Sequence, residues 1–244
     1  MRRIEVVLRK EDLKQHNHQS SIAIVLDIIF ATSSITSALE AGVNKVYTAL
    51  SLDDAIQLGQ QMPHDNWVIA GEQMAQAFEG YMSYEPLTLN QPQMAGKDLI
   101  YATTNGTVAL RYAATFAATY AASLRNANAV IKHVLAHNPA DQDIVLICSG
   151  SHGHFSLEDF YGAGCMVACL LAQGGAANFN CSDAAWAAYF CYANAKAYDV
   201  ISQGRLAHLM QSRGMSDNLD FICQQDATQL VGVLHQNYIQ AIQP

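Results

Sequence analysis

Apolar residues fall in short blocks separated by polar, glycine- or proline-bearing connections, and the blocks alternate between two periods. Asp143-Ile-Val-Leu-Ile-Cys148 is nearly all apolar and β-branched, which predicts a strand buried on both faces. Similar blocks predict strands from Ser21 to Phe30, Val43 to Leu50, Trp67 to Glu72 and Asp98 to Thr103, with weaker strand-like runs at 4–8 and 119–123. Helical spacing fills the intervals. A helix is expected from the Ala31-Thr-Ser-Ser34 caps to about Ala41, stopped by Gly42, and another opens at the Ser51-x-x-Asp54 box ahead of Pro63. Further helices follow Thr107, run from an Asn126 cap to about His137, and extend from Phe155 to Gln173. Residues 73–96, with Gly80, Pro86, Pro92 and Gly96, read as a long loop of the kind that covers a site. After Gly174-Gly175 the chain looks mostly helical, first from Ser182 to Gln203, with a short edge strand expected between Ser216 and Asp226. The alternation argues for one domain over residues 1–244 of α/β class: a three-layer α/β/α fold with a mainly parallel or mixed central sheet and a helical C-terminal part.

Composition narrows the partners. Thirteen Lys and Arg against 21 Asp and Glu leave a net charge of -8, a field that repels phosphate backbones and anionic lipid. No nucleic-acid or membrane partner is expected. The opening Met1-Arg-Arg-Ile-Glu-Val-Val-Leu8 is too short for a signal peptide or a span. Six cysteines without a C-x-x-C pair read as reduced thiols in a cytoplasmic protein.

The predicted strands end in four polar clusters: Asp27 to Ser34, Gly71-Glu72, Thr103 to Thr107, and Ser149 to Asp159. In a parallel sheet those ends share one edge, where α/β proteins place ligands. Many of these residues also have plain structural readings. Thr32, Ser33 and Ser34 serve as helix caps, Asn105-Gly106 as a turn, Ser156 with Asp159 as a capping box stapled by Phe155 and Phe160, and His152 and His154 as loop surface. Asp27 and Glu72 fit that description less well, because a carboxylate in or beside an apolar strand needs a cation or donor. Asp27, Glu72, Glu158 and Asp159 together make a hard oxygen set suited to Mg²⁺. Helix starts near residues 33, 105 and 156, with Thr32, Ser33, Thr104, Asn105, Gly106, Thr107 and Ser156, supply the complementary phosphate donors. That pairing points to metal-assisted phosphoester chemistry. The sequence contains no G-x-x-x-x-G-K-[ST], G-x-S-x-G, H-E-x-x-H or G-x-G-x-x-G, and Ile29 breaks a D-x-D nucleophile motif.

In order, Leu26-Asp-Ile-Ile-Phe-Ala-Thr-Ser-Ser34, Gly71-Glu72, Thr103-Thr-Asn-Gly-Thr107 and Phe155-Ser-Leu-Glu-Asp159 with Gly162-Ala-Gly164 resemble the 2-phosphosulfolactate phosphatase (ComB-like) family over nearly the whole chain. The resemblance implies a Mg²⁺-dependent phosphatase acting on a small sulfonated phospho-acid in coenzyme M synthesis. Asp27 and Glu158 are then the candidate catalytic residues, Asp27 activating water or acting as nucleophile. Two departures stand out: Phe30 and Gln73 occupy positions where the family carries arginine, removing two cations from the expected mouth. The alternative is a non-catalytic binder of small phosphoesters that lost its chemistry with those arginines. The expected partner is a small anionic phosphoester, and a homodimer is one assembly open to the chain.

Overall fold

Residues 1–13 and 19–242 are described by the computed structural model, and every apolar block singled out above forms a strand. The strands are β1 (Arg2–Val7), β2 (Ser21–Leu26), β3 (Lys45–Ala49), β4 (Trp67–Gln73), β5 (Gln76–Ala77), β6 (Asp98–Ala102), β7 (Ala118–Ala122), β8 (Asp143–Cys148), β9 (Phe179–Cys181), β10 (Val231–His235) and β11 (Tyr238–Ile242). The helices are α1 (Ala31–Glu40), α2 (Leu52–Gln60), α3 (Pro86–Leu89), α4 (Gly106–Ala113), α5 (Ala127–His137), α6 (Leu157–Gly174), α7 (Asp183–Ala193), α8 (Ala197–Ile201), α9 (Arg205–Ser212) and α10 (Ser216–Ile222).

The strands form one mixed sheet in the order β5-β4-β6-β3-β11-β10-β7-β2-β8-β1-β9. Strands β4, β6 and β3 are parallel to one another, and so are β7, β2, β8, β1 and β9. The hairpin β10–β11 joins the two groups, with β11 antiparallel to β3 and β10 antiparallel to β7. Two expectations for the C-terminal part are thereby corrected. Residues 216–226 hold α10 rather than an edge strand, because Leu219 and Ile222, three positions apart, both turn into the core. The chain returns to the sheet only afterwards, and in its middle rather than at its edge. The helical run from Ser182 is also two helices, α7 and α8, interrupted between Ala193 and Ala197.

Alternation along β6 assigns the two faces. Leu99 and Tyr101 enter the main core, whereas Ile100 and Ala102 join a smaller core with Ala49, Ala55, Ile69 and Phe78 under α2. Helices therefore cover both faces. The sheet is also strongly curled. Asp27 after β2 and Glu72 in β4 are six strand positions apart, about 29 Å on a flat sheet at ~4.8 Å per strand, yet both line one cleft. Helix α1 occupies the inside of the curl, packed on β3, β7, β10, α3 and α4, with nine of its ten residues buried. Its hydroxyls close on backbone carbonyls: Thr36 donates to Thr32 O and Ser37 to Ser33 O, both at 2.8 Å, and Ser34 to Tyr84 O at 2.6 Å. Among the described residues no helix is long and apolar enough to cross a membrane, and all six cysteines are free thiols.

One buried ion pair ties α1 to the C-terminal helices. Arg125, 4% exposed, donates to both carboxylate oxygens of Glu40 at the end of α1 and, through Nη1, to Gln224 Oε1 at 2.6 Å. Its guanidinium also stacks on Phe221 of α10, 3.8 Å from the ring centre. Arg125→Met leaves Glu40 without its cation and is expected to cost about 3 kcal/mol. Thermal unfolding should show a midpoint lowered by roughly 6–12 °C, and an unchanged midpoint would show the pair to be dispensable.

Candidate active site

Strand β2 ends at Leu26, so Asp27 opens the connection to α1 rather than interrupting a strand. The connection is closed by its own groups. Asp27 Oδ1 accepts from Ala31 N at 3.2 Å, and Thr32 Oγ1 accepts from Asp27 N at 2.9 Å while donating to Asp27 O at 3.0 Å. Ser33 Oγ donates to Ile28 O at 2.9 Å. The hydroxyls expected as caps thus lie inside α1, and Phe30 holds the N-cap position with no side-chain cap. The first residue of α4 packs against the same carboxylate. A Cβ at Gly106 would fall 2.6 Å from Asp27 Oδ2 and 2.3 Å from Ala31 Cβ, so only glycine lets this helix start come so close. Thr107 does not cap α4 either. Its hydroxyl accepts from Thr103 N and donates to Thr103 O, each at 3.0 Å. Asn105 holds the N-cap position of α4 without a side-chain cap, and its Oδ1 accepts from Lys10 Nζ at 2.8 Å and His152 N at 3.2 Å.

Two carboxylates act as struts between loops. Glu72 accepts from Thr104 N and Ala75 N, both at 2.6 Å, and from Thr104 Oγ1 at 3.1 Å. Asp159 accepts from Ile28 N at 2.8 Å and Gly150 N at 3.0 Å, joining the connections that follow β2 and β8. The expected Ser156–Asp159 capping box is accordingly absent. The Asp159 carboxylate serves two neighbouring loops, and Ser156 Oγ donates to Glu158 Oε1 at 3.0 Å. The staple does form, with the Phe155 and Phe160 rings 5.3 Å apart.

Burial of these carboxylates shapes their chemistry. Asp27 is pushed up to about 7, first by desolvation and then by the nearby Glu72 and Glu158 charges, against the pull of the Ala31 N–H and Lys10. Desolvation also raises Glu158, and it raises Asp159 well above the usual range, with Asp27 and Glu158 adding to the effect. Two cations reach this region. Buried Lys10, in the turn after β1, bonds Asn105 and pairs with Glu11 at 2.8 Å; Arg205 at the start of α9 donates to Ser151 Oγ at 2.8 Å. Sequence reading passed over both. Lys10 carried a signal, since it follows the carboxyl end of a strand parallel to β8, but nothing in the spacing marks Arg205.

The result is a small cleft. Asp27, Glu72, Thr103, Asn105, Ser151 and His152 line its polar side, and Phe30, Tyr84, Tyr101, Leu206 and Met210 its apolar side. Of the residues singled out in the sequence, Asp27, Glu72 and Asn105 reach the cleft, as do Phe30, Thr103 and His152, the last expected only as loop surface, while Thr32, Ser33, Thr104, Gly106, Thr107, Ser156, Glu158 and Asp159 do not line it. His152, Met74 and Ala75 around the rim hold left-handed φ values of 52°, 55° and 58°. Such backbone costs of order 1–3 kcal/mol per residue and persists only where the surroundings fix it.

Among the described residues no group of three or more His, Cys, Asp or Glu side chains is placed to enclose a metal ion. A sparser site fits better. Glu72 and Asp159 commit both oxygens to N–H donors, whereas Asp27 accepts a single backbone N–H from Ala31 and Glu158 bonds Ser156 and its own N–H. Ser149, one residue beyond the Leu26–Cys148 pair as Asp27 is, has a buried Oγ with no hydrogen-bond partner among the described residues. One or two carboxylates plus waters and substrate oxygens is the donor set Mg²⁺ favours.

Comparisons with known proteins point to one family. A family model described as 2-phosphosulpholactate phosphatase matches residues 7–237. A Clostridium novyi protein named probable 2-phosphosulfolactate phosphatase is 28% identical over 235 residues, 96% of this chain and 97% of its own. A protein of the same name from Caldanaerobacter subterraneus is 29% identical over 239 residues, 97% of this chain and 95% of its own. One from Symbiobacterium thermophilum is 34% identical over 147 residues, 60% of this chain and 62% of its own. With the fold, the ordered motifs and a match over nearly its whole length in accord, the chain belongs to the 2-phosphosulpholactate phosphatase family.

Proposed function

We propose that this protein is a phosphoric monoester hydrolase that releases phosphate from a small anionic phosphoester, the type of activity its relatives are named for. Asp27 carries the reading: it is a buried carboxylate at the end of a central parallel strand, held by the first turn of α1 and the start of α4, and it opens on a cleft with Glu72 and Asn105. Without a metal on it, a carboxylate raised to about 7 is poised to take a proton from an attacking water near neutral pH. As a Mg²⁺ ligand the same group would be ionised and would position that water instead. Lys10 and the N-terminus of α4 provide positive field on the same side, suited to phosphoryl oxygens. Glu72 fixes Thr104 and with it the neighbouring Asn105, which Lys10 and His152 hold from the other side. Asp27 and Glu158 are the carboxylates that would hold Mg²⁺, which supplies charge neutralisation at the phosphate. Free thiols throughout fit a cytoplasmic site of action, and a homodimer is the assembly to test first.

Purified protein with Mg²⁺ is expected to release phosphate from members of a panel of small phosphoesters. Asp27→Asn should lower kcat by about 10²- to 10⁴-fold with the circular dichroism spectrum retained. Undiminished turnover would remove Asp27 from the chemistry. Calorimetric binding of a phosphoester without phosphate release by the unaltered protein would favour the non-catalytic alternative.

The raised Asp27 also predicts a stability profile. Its folded pKa exceeds the unfolded value of roughly 3.9, so between about pH 4 and pH 7 the native state holds the extra proton and stability falls as pH rises. Without divalent cation the thermal midpoint should therefore drop from pH 5 to pH 7.5. Mg²⁺ binds the ionised form, so it should raise the midpoint more at pH 7.5 than at pH 5. An equal Mg²⁺ effect at both pH values would count against Asp27 as a ligand.

A further inference from the structure

Part of the cleft lining is apolar, and its composition bears on which phosphoester fits. Phe30 is 4% exposed and lies against Tyr84, with ring centres 6.2 Å apart. Leu206 and Met210, one helical turn apart on α9, complete this wall. Gln73, the other position where an arginine was expected, is exposed and paired with Gln76 across β4 and β5. Arg205 and Arg213 sit at the two ends of α9, where they donate to the Ser151 hydroxyl and the Ala75 carbonyl and brace the helix beside the cleft. Among the described residues no lysine or arginine lines the cleft itself.

An acid group carried against Phe30, Leu206 and Met210 would lose its water with no donor from those three side chains in exchange, whereas an alkyl group there would gain by burial. We infer, resting on the phosphatase reading, that this cleft selects a small phosphomonoester whose arm on the Phe30 side is aliphatic over one bearing a second acid group at that place. Helix α9 and Phe30 are thus the specificity elements, and the carboxylate side deals with the phosphate.

Two esters isolate the feature, because 2-phospholactate carries a methyl group where 2-phosphosulfolactate carries a sulfonated methylene. Steady-state phosphate release should give a kcat/KM at least about tenfold higher for 2-phospholactate. Phe30→Arg should reverse that ratio, and Met210→Lys should move it in the same direction, covering the case in which the first variant does not fold. A higher kcat/KM for 2-phosphosulfolactate in the unaltered protein overturns the inference, as does a ratio that neither variant moves. If neither ester releases phosphate, the hydrolase reading is decided by the wider panel, and calorimetric titration of the same protein with each ester decides the inference alone. Tighter binding of 2-phospholactate then upholds it, and equal or weaker binding overturns it.

Discussion

A helix can run through the inside of a curled sheet only if it is narrow and leaves no polar atom unmet. Helix α1 satisfies both conditions with Ala31-Thr-Ser-Ser-Ile-Thr-Ser-Ala-Leu39. Its small side chains let β3, β7, β10, α3 and α4 close around it, and its hydroxyls donate to carbonyls one turn back, in the preceding connection or on Tyr84. An unsatisfied hydroxyl buried there would cost about 1–3 kcal/mol, so the bonds matter more by being complete than by their individual strength. Once α1 is in place, its first turn sets Asp27, and the curl brings β4 and β6 round to face it. The cleft is a consequence of that packing.

The same logic explains why so many carboxylates sit together. Glu72 and Asp159 are acceptors for backbone N–H groups of loops that have no other regular partner, and each ties together segments that a curled sheet would otherwise leave apart. Their fixed positions concentrate negative charge around Asp27. Burial and mutual repulsion raise the group, while the Ala31 N–H and Lys10 oppose the rise. On the proposed reading, a metal ion and a phosphate would jointly complete a site that is structurally closed but short of cations.

Much of this was legible in the sequence, and what was not has identifiable causes. Strand β8 has the predicted bounds, since a β-branched apolar run flanked by Asp143 and glycine has few other uses. The polar strand ends gave Asp27, Glu72 and Asn105 as residues that meet. The Ser/Thr cluster was misread because a hydroxyl at a helix start looks the same in sequence whether it caps the helix or bonds backwards inside it; only tertiary burial separates the two. Ser156 and Asp159 likewise matched a local motif, but long-range bonds to Ile28 and Gly150 prevailed. The hairpin β10–β11 went unseen because two five-residue strands turn at Gln236-Asn237 without a glycine, and Gln236 takes a φ of 54°.

That hairpin has a role beyond completing the sheet. It lies between β3 and β7, so the group carrying Glu72 and Asn105 is held to the group carrying Asp27, Ser151 and Glu158 through strands contributed by the last residues of the fold. The chain segment just before it supplies α9 and its apolar contribution to the cleft, and α10, which Arg125 fastens to α1. The C-terminal third therefore acts on the site twice, by fixing the distance between its two polar halves and by covering the remaining side with Leu206 and Met210. Variation in this third could alter what the cleft accepts while leaving Asp27 and its supports unchanged, since among the described residues none of the bonds that hold the Asp27 carboxylate and its connection comes from beyond 159.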